Sequence, residues 1–178
     1  MNRPLLEDDT IALRALEPAD VEVLYAWEND TRLWRVGRTT TPYSREMLRA
    51  YVEGYEADIY TARQLRLMVV EKSSGRPVGA ADLYEFDPVN LRAGVGILID
   101  SSCQGLGYGR RAVALLGRYC GLRLGLHQLW AVVPADNAPC RRLFASLGYR
   151  VTGRFKSWIR DGRSYADAYM YQRLNIAE

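Results

Sequence analysis

The sequence predicts an α/β fold of the α+β kind: one domain, residues 1–178, with a mixed, largely antiparallel sheet flanked by helices. Three observations carry this. Stretches with the two-residue period of a half-buried strand and stretches with helical spacing both occur, but they do not alternate evenly enough for a doubly wound parallel sheet. Strand-like runs follow one another between residues 67 and 99, and again after 150, with only turns between them, the pattern of antiparallel neighbours. The length of 178 residues, with 48% hydrophobic and 25% charged, suits one globular unit that buries a core without disulfides or a structural metal.

The elements follow in order. Ile11, Leu13 and Ala15 alternate with Ala12 and Arg14, a strand period. Pro18 then stands where a helix tolerates a missing N–H, and Val21, Leu24 and Tyr25 supply an apolar helical face. Residues 27–43 are irregular and aromatic. Leu48, Tyr51, Val52, Tyr55 and Ile59 recur at helical spacing and predict a helix over 45–62. The period then changes: 67–70 reads as a strand, Ser73-Ser74-Gly75 as a turn, and 77–84 as a second strand that Asp87-Pro88 breaks. In the strand 94–99, Gly94 and Gly96 invite a bulge or a close backbone approach. A helix over 108–124, a strand over 129–133 and a helix over 138–147 follow, the last stopped by Gly148. Strands 150–160 and 164–174 are joined by Asp161-Gly162, a strong hairpin signal. No linker, repeat or low-complexity segment interrupts the chain.

Composition narrows the function. With 24 basic and 21 acidic residues the formal charge is +3, too weak a bias for a nucleic-acid surface, which needs clustered basic side chains. No apolar run is long enough to span a bilayer. Cys103, Cys120 and Cys140 form an odd set without CxxC spacing, and the N-terminus is not signal-like; together they point to a reducing, cytoplasmic setting. His127 is the only histidine, so no His-based zinc site, and no metal, is expected.

The most informative stretch runs from Ile97 to Arg111. An apolar strand, Ile97-Leu98-Ile99, enters a turn with Gly105, Gly107 and Gly109 at alternate positions, and a helix begins at once. Glycine lets successive backbone N–H groups converge without side-chain obstruction, while a helix start offers unpaired donors and the positive end of its dipole. This is a receptor for a pyrophosphate, with Arg110 and Arg111 at its rim. The bland reading is a surface turn before an amphipathic helix built on Val113, Leu116 and Tyr119. A Walker loop is excluded because Gly-Lys-Ser/Thr is absent, and the dinucleotide fingerprint has other glycine spacing.

Gln104-Gly105-Leu106-Gly107-Tyr108-Gly109 resembles the Gln/Arg-x-x-Gly-x-Gly/Ala pyrophosphate loop of the GNAT N-acetyltransferases. The surroundings agree: the strand to Asp100 before the loop, the strand 129–133 after the long helix, then Asn137, the helix 138–147 and Leu147-Gly148-Tyr149. The hairpin 155–171, with Asp161-Gly162-Arg163 at its tip and Asp167 beyond, and the opening Ile11-Ala12-Leu13-Arg14-Ala15-Leu16 with Asp20 are similar to the ribosomal-protein and spermidine acetyltransferase branch. The resemblance covers nearly the whole length. It implies a GNAT-like sheet splayed between two parallel strands, here 94–99 and 129–133, with acetyl-CoA as co-substrate in the gap.

The resemblance also implies site residues. Backbone groups of Ile97, Leu98 and Ile99 would pair with the pantetheine amides, and N–H groups of Gln104, Gly105, Leu106, Gly107, Tyr108, Gly109 and Arg110 would hold the pyrophosphate. Asn137, Arg141 and Phe144 would flank the arm, although Asn137 serves equally well as a helix N-cap. Phe144 stands where many relatives carry a tyrosine general acid and has no proton to give, which leaves Cys140 and Tyr149 as polar neighbours, each also explicable as packing. Glu28, Asp82 and Glu85 are candidate bases or ammonium-binding carboxylates, against the plain alternative of solvated charges. Trp34 and Tyr84, with Tyr43, Trp158 and Tyr165, are candidate walls of the acceptor pocket or simply core and rim. The expected acceptor is a small-molecule amine such as a polyamine. The alternatives are a protein N-terminus or ribosomal protein, or a non-catalytic acyl-CoA sensor. Relatives of this look are often homodimers, which is the expectation here.

Overall fold

The computed structural model describes residues 4–37 and 39–174; residues 1–3, 38 and 175–178 of the expected domain lie outside the described residues. The chain runs β1 (Ile11–Arg14), α1 (Val21–Glu28), α2 (Thr31–Gly37), α3 (Arg45–Glu53), α4 (Ile59–Ala62), β2 (Leu65–Glu71), β3 (Pro77–Asp87) and β4 (Arg92–Ile99). It continues with α5 (Tyr108–Leu122), β5 (Gln128–Pro134), α6 (Ala138–Ser146), β6 (Arg150–Asp161) and β7 (Ser164–Leu174). The strands form one sheet in the order β1-β2-β3-β4-β5-β7-β6. Every neighbouring pair is antiparallel except β4 with β5, which is parallel and is bridged by α5.

Two expectations fail locally. The segment 27–43 is not wholly irregular, because α2 occupies Thr31–Gly37. The predicted helix over 45–62 is two helices: Gly54 caps α3 at its C-terminus, and Asp58 starts α4 by accepting a hydrogen bond from Tyr60 N. The apolar spacing persists across the break, but the backbone follows the glycine and the capping carboxylate.

The sheet has apolar packing on both faces. One layer holds α5 and α6, with Val113, Leu116, Cys120 and Phe144 against Val69, Ala81, Val95, Leu129 and Val133. The other holds α1 and α3, with Leu24, Trp27, Leu48 and Val52 against Met68 and Ala80. Period-two alternation sorts the middle of β3: Ala81 and Leu83 face α5, while Ala80 packs toward α1 and shares that side with Asp82 and Tyr84; register shifts at the two ends return Val78 and Phe86 to the α5 side.

Bulges re-aim particular side chains. Tyr84 pairs with Gly94 and Asp87 with Arg92, so Glu85 and Phe86 oppose the single residue Ala93. Glu85, at φ +49, is the extra residue and is exposed, while Phe86 is returned to the core. In the hairpin, Lys156, Ser157 and Trp158 oppose Asp167 alone. Asp167 holds that bulge by accepting from Ser157 N at 2.8 Å and Arg154 Nε at 2.8 Å. Among the described residues no helix is long and apolar enough to cross a membrane.

Candidate active site

The site begins where the parallel pair fails. β4 and β5 are in register only at Arg92–Gln128, Ala93–Leu129 and Gly94–Trp130. Beyond that point β4 stays paired with β3 as far as Ile99, and β5 with β7 as far as Pro134. The facing edges of the two strands thus diverge from Val95 and Ala131 onward, leaving backbone donors and acceptors without strand partners. Such a wedge accepts an extended chain carrying amides, since buried peptide groups need partners and an amide-bearing ligand supplies them.

The apex of the wedge is aromatic. A Cβ on Gly94 would lie 2.4 Å from the Tyr84 ring, so Tyr84 folds directly over the glycine. The same ring meets Trp130, the partner of Gly94, edge to face at 5.0 Å between centroids. Gly96 is similarly covered, with the Asp82 Cβ 3.2 Å from where its own would be. Of the two roles the sequence offered for these glycines, the structure shows close approach; the bulge lies on the neighbouring strand β3, opposite Ala93.

The open end of the wedge meets the glycine turn. Asp100 closes β4 by accepting from Ser102 N and Oγ, and Gly105 and Gly107 adopt φ +80 and +85 on the way to α5. These left-handed values are what a glycine tolerates without strain. Gly109 allows α5 to start close against both neighbours, because a Cβ there would stand 3.0 Å from Leu143 Cδ1 and 3.4 Å from Ile99 Cγ1. The free N–H groups of this first turn, and the helix dipole behind them, converge at the mouth of the wedge.

On the α1 side of the sheet, charges gather that the sequence left separate. Arg66, on β2, donates from Nε to Asp82 at 2.7 Å and from Nη1 to Glu28 at 2.8 Å. Glu28 at the end of α1 and Asp82 on β3 therefore share one guanidinium. Burial works against the charge of Arg66, but the charge and hydrogen bond of Asp82, with Tyr51 and Glu28 beyond, raise its pKa above the ordinary arginine value. Tyr51, Gln64, Arg66, Asp82 and Tyr84 line an adjoining pocket of about 200 Å³. Trp27, next to Glu28, donates from Nε1 to Asp100 at 2.8 Å, so the carboxylate side is tied to the glycine turn.

The helix α2 lies over this region. Trp34 donates from Nε1 to the Glu28 carbonyl at 2.8 Å, and Asn29 binds both the N–H and the carbonyl of Tyr43, fixing the two ends of the crossing segment. Arg35 pairs with Asp136 after β5 at 2.9 Å and lies 3.6 Å from Asp161 at the hairpin tip. The segment from α1 to α3 is thereby attached to both halves of the splayed sheet.

The predicted residues divide accordingly. Ile97, Leu98 and Ile99 stand on the diverging edge, and the stretch from Gln104 to Arg110 forms the turn and helix start, with Leu106 and Arg110 exposed. The Tyr108 side chain turns inward: it is buried and its hydroxyl donates to Glu71. Asn137 caps α6 by accepting from Cys140 N at 3.2 Å. Arg141 is occupied by the Ala135 carbonyl at 3.0 Å, the Tyr171 hydroxyl at 3.3 Å and the Tyr169 ring.

Phe144 is 1% exposed, with Tyr149 and Tyr171 against its ring, and so offers a ligand almost no side-chain surface. Burial pushes the Cys140 thiol up to about 11, making it a weaker acid than a free thiol at about 8.5. Tyr149 is buried beside Phe144, and burial also raises its pKa. Glu28 and Asp82 meet at Arg66, Tyr84 lines a pocket with Asp82, and Trp34 binds the Glu28 carbonyl, while Glu85 projects from its bulge and is exposed. Trp158 and Tyr165 are exposed on the hairpin. Arg66, Trp27 and Asp100 were not singled out as site residues; the alternating Arg66 on an apolar strand was the only signal for the first.

Comparison with known proteins agrees with this architecture. An uncharacterised N-acetyltransferase of Bacillus subtilis is 21% identical over 175 residues, covering 98% of this chain and 99% of its own. The spermidine N-acetyltransferase of Vibrio cholerae, solved with CoA and spermine, superposes with a TM-score of 0.82 at 23% identity, over 94% of this chain and 96% of that one. A ribosomal L7/L12 α-N-protein acetyltransferase solved with coenzyme A gives 0.82 at 20% identity, over 98% of both chains. Residues 10–150 match the acetyltransferase (GNAT) domain model, and the chain belongs to the GNAT family of acetyltransferases.

Proposed function

We propose that this protein, acting as a single domain, transfers the acetyl group of acetyl-CoA to a small cationic primary amine. The observation that carries the reading is the wedge between β4 and β5, which opens on a glycine turn and helix start and has the Glu28–Arg66–Asp82 cluster beside it on the α1 side of the sheet, where Asp82 pairs with Gly96. Edge groups of Ile97, Leu98 and Ile99 would bind the pantetheine arm, and N–H groups from Gln104 to Arg110 the pyrophosphate. The co-substrate supplies a thioester carbonyl, and a strand-edge N–H pointing into the wedge would stabilise its oxygen as negative charge develops.

The amine arrives protonated and attacks only as the free base. Glu28 or Asp82, directly or through water, takes that proton. The nitrogen–carbon bond then forms, the carbon–sulfur bond breaks, the nitrogen gives up its second proton to water, and CoA leaves as a thiolate. Phe144 cannot protonate that sulfur, and Cys140, raised to about 11 by burial, is a weaker acid than an ordinary thiol, so CoA departs unprotonated and gains its proton in solution. Water is the proton source, which a leaving group of thiol acidity permits. Glu85, exposed on its bulge, stands outside this proton path.

The carboxylates favour a cation by simple charge complementarity, the class to which the polyamine of the Vibrio relative belongs. The protein is further proposed to work as a homodimer in the cytoplasm, where Cys103, Cys120 and Cys140 stay free thiols. Calorimetric titration with acetyl-CoA, followed by a free-thiol assay against alkylamines, polyamines and N-terminal peptides, tests the reading. One saturable small cationic acceptor supports it. Binding without turnover on any amine would favour an acyl-CoA sensor, and failure of folded protein to bind acetyl-CoA would overturn it.

A further inference from the structure

Two carboxylates in an acceptor site suggest a polycation, but here they are not both free. Arg66 lies between them, giving Nη1 to Glu28 at 2.8 Å and Nε to Asp82 at 2.7 Å, with Nη2 3.4 Å from the other Asp82 oxygen. All three side chains are mostly covered, so the ion pairs are shielded from bulk water. Tyr51 and Tyr55 are titratable groups packed on the cluster, and Tyr84 lines the same pocket. Burial pushes Tyr51 up to about 12 and raises Tyr55 as well, so both are neutral at physiological pH. One guanidinium against two carboxylates leaves a single net negative charge.

We propose that Arg66 is the specificity-determining residue of the acceptor site: by neutralising one of its two carboxylates it restricts recognition to one ammonium group, so the acceptor is a monocationic amine. The inference rests on the amine-acetyltransferase reading above and narrows its substrate class. Geometry supports it further, since Arg66 and Asp82 both line the adjoining 200 Å³ pocket. A first ammonium is attracted by the residual charge of the Glu28–Asp82 pair. A second, entering the same pocket, meets the guanidinium of Arg66 and no unpaired carboxylate. Removing Arg66 frees the second carboxylate and opens the site to diamines.

The test is calorimetric titration of the CoA-loaded protein with propylamine, 1,4-diaminobutane and spermidine, with CoA release from acetyl-CoA measured in parallel. The wild type is expected to bind the three within about threefold of one another, the margin that a choice of equivalent ends allows. Arg66→Met, which keeps the stem and removes the charge, is expected to favour the diamine over propylamine by at least about tenfold, or 1.4 kcal/mol. Arg66→Lys is expected to restore the wild-type profile. Asp82→Asn makes the cluster neutral and serves if Arg66→Met does not fold; it should weaken propylamine about tenfold. A wild type that prefers spermidine tenfold or more, or binds no amine, overturns the inference. So does an Arg66→Met profile identical to wild type. The expected binding profile without CoA release from any amine leaves the charge selection standing and defeats the transferase reading alone.

Discussion

The close approach of Tyr84 to Gly94 gives a direct test of how the wedge is built. In Gly94→Ala the new methyl would lie 2.4, 2.5 and 2.8 Å from three ring carbons, so the ring must retreat by about 1 Å to reach ordinary contact. It cannot do so freely, because its edge-to-face partner Trp130 is only 5.0 Å away. Overpacking of this kind costs about 1–3 kcal/mol, and weakening the aromatic pair adds about 0.5–1.5 kcal/mol. The smaller conformational entropy of alanine in the unfolded chain offsets about 0.4–1 kcal/mol. The net expectation is a loss of about 2 kcal/mol, which for a domain of this size lowers Tm by about 4–8 °C. Gly96→Ala is the matched control: its nearest neighbour is the Asp82 Cβ at 3.2 Å, and a few tenths of an ångström suffice. It should cost less than about 1 kcal/mol. Denaturant unfolding of both variants, repeated in a Tyr84→Ala background, isolates the ring contribution. If Gly94→Ala were as stable as Gly96→Ala, or its cost survived removal of Tyr84, the ring would not be what shapes the apex.

Three other predictions concern separate parts of the molecule. Gly107→Ala and Gly75→Ala place an alanine at φ +85 and +71 with open space around both, so each should lose about 1–2 kcal/mol to backbone strain; only Gly107→Ala should also weaken acetyl-CoA binding, measured by calorimetry. Burial pushes the Cys120 thiol up to about 12 and Cys140 to about 11, and Cys103 is buried, so native protein at pH 8 should show no fast-reacting thiol and denatured protein three; Cys140→Ala should retain kcat within about threefold, the water-protonated route needing no thiol. Asp20 is 2% exposed, and although desolvation opposes its charge, hydrogen bonds from Arg14 and from Glu17 N bring its pKa below the ordinary value. Its stabilisation is therefore present above the unfolded value of about 3.9 and disappears as pH falls through the lower folded value; an Asp20→Asn variant should be less stable at pH 7 and show a flatter acid limb in urea melts.

The strands and long helices were legible because each repeats a simple signal. The alternation in β1, the Asp161-Gly162 turn with Gly162 at φ +61, and the capping Asn137 are local codes that tertiary packing did not override. What was hidden was hidden by competition between such codes. The apolar spacing of 45–62 continues through Gly54 and Asp58, and periodicity alone does not register a stop that costs no hydrophobic residue. The helix Thr31–Gly37 was missed because its anchors are polar and distant, Trp34 to the Glu28 carbonyl and Arg35 to Asp136. The bulge lies in β3 at Glu85, opposite Ala93, whereas the signal in the sequence was the pair Gly94 and Gly96, which offered either a bulge or a close approach. Glycines next to a large side chain on the neighbouring strand can relieve crowding either by bulging themselves or by lying flat beneath it, and Tyr84 takes the second course.

The two halves of the site differ in legibility for a related reason. The cofactor side is made of backbone: diverging strand edges, left-handed glycines and a helix start. Backbone conformation depends on consecutive residues, so Gln104 to Arg110 could be read as a string. The acceptor side is made of side chains from α1, β2 and β3, and its central ion pairs span 38 residues between Glu28 and Arg66 and 16 between Arg66 and Asp82. Nothing in the sequence near Glu28 reports that a guanidinium waits on another strand. The carboxylates could be named as candidates, but their net charge could not be counted until the sheet brought Arg66 between them. Acceptor choice in this fold is therefore set by long-range pairings that one substitution on a neighbouring strand can rewrite, while the cofactor wedge stays intact. A single charge change at Arg66 should accordingly alter which amines bind without altering acetyl-CoA affinity, a separation that titrating both ligands on the same variant measures directly.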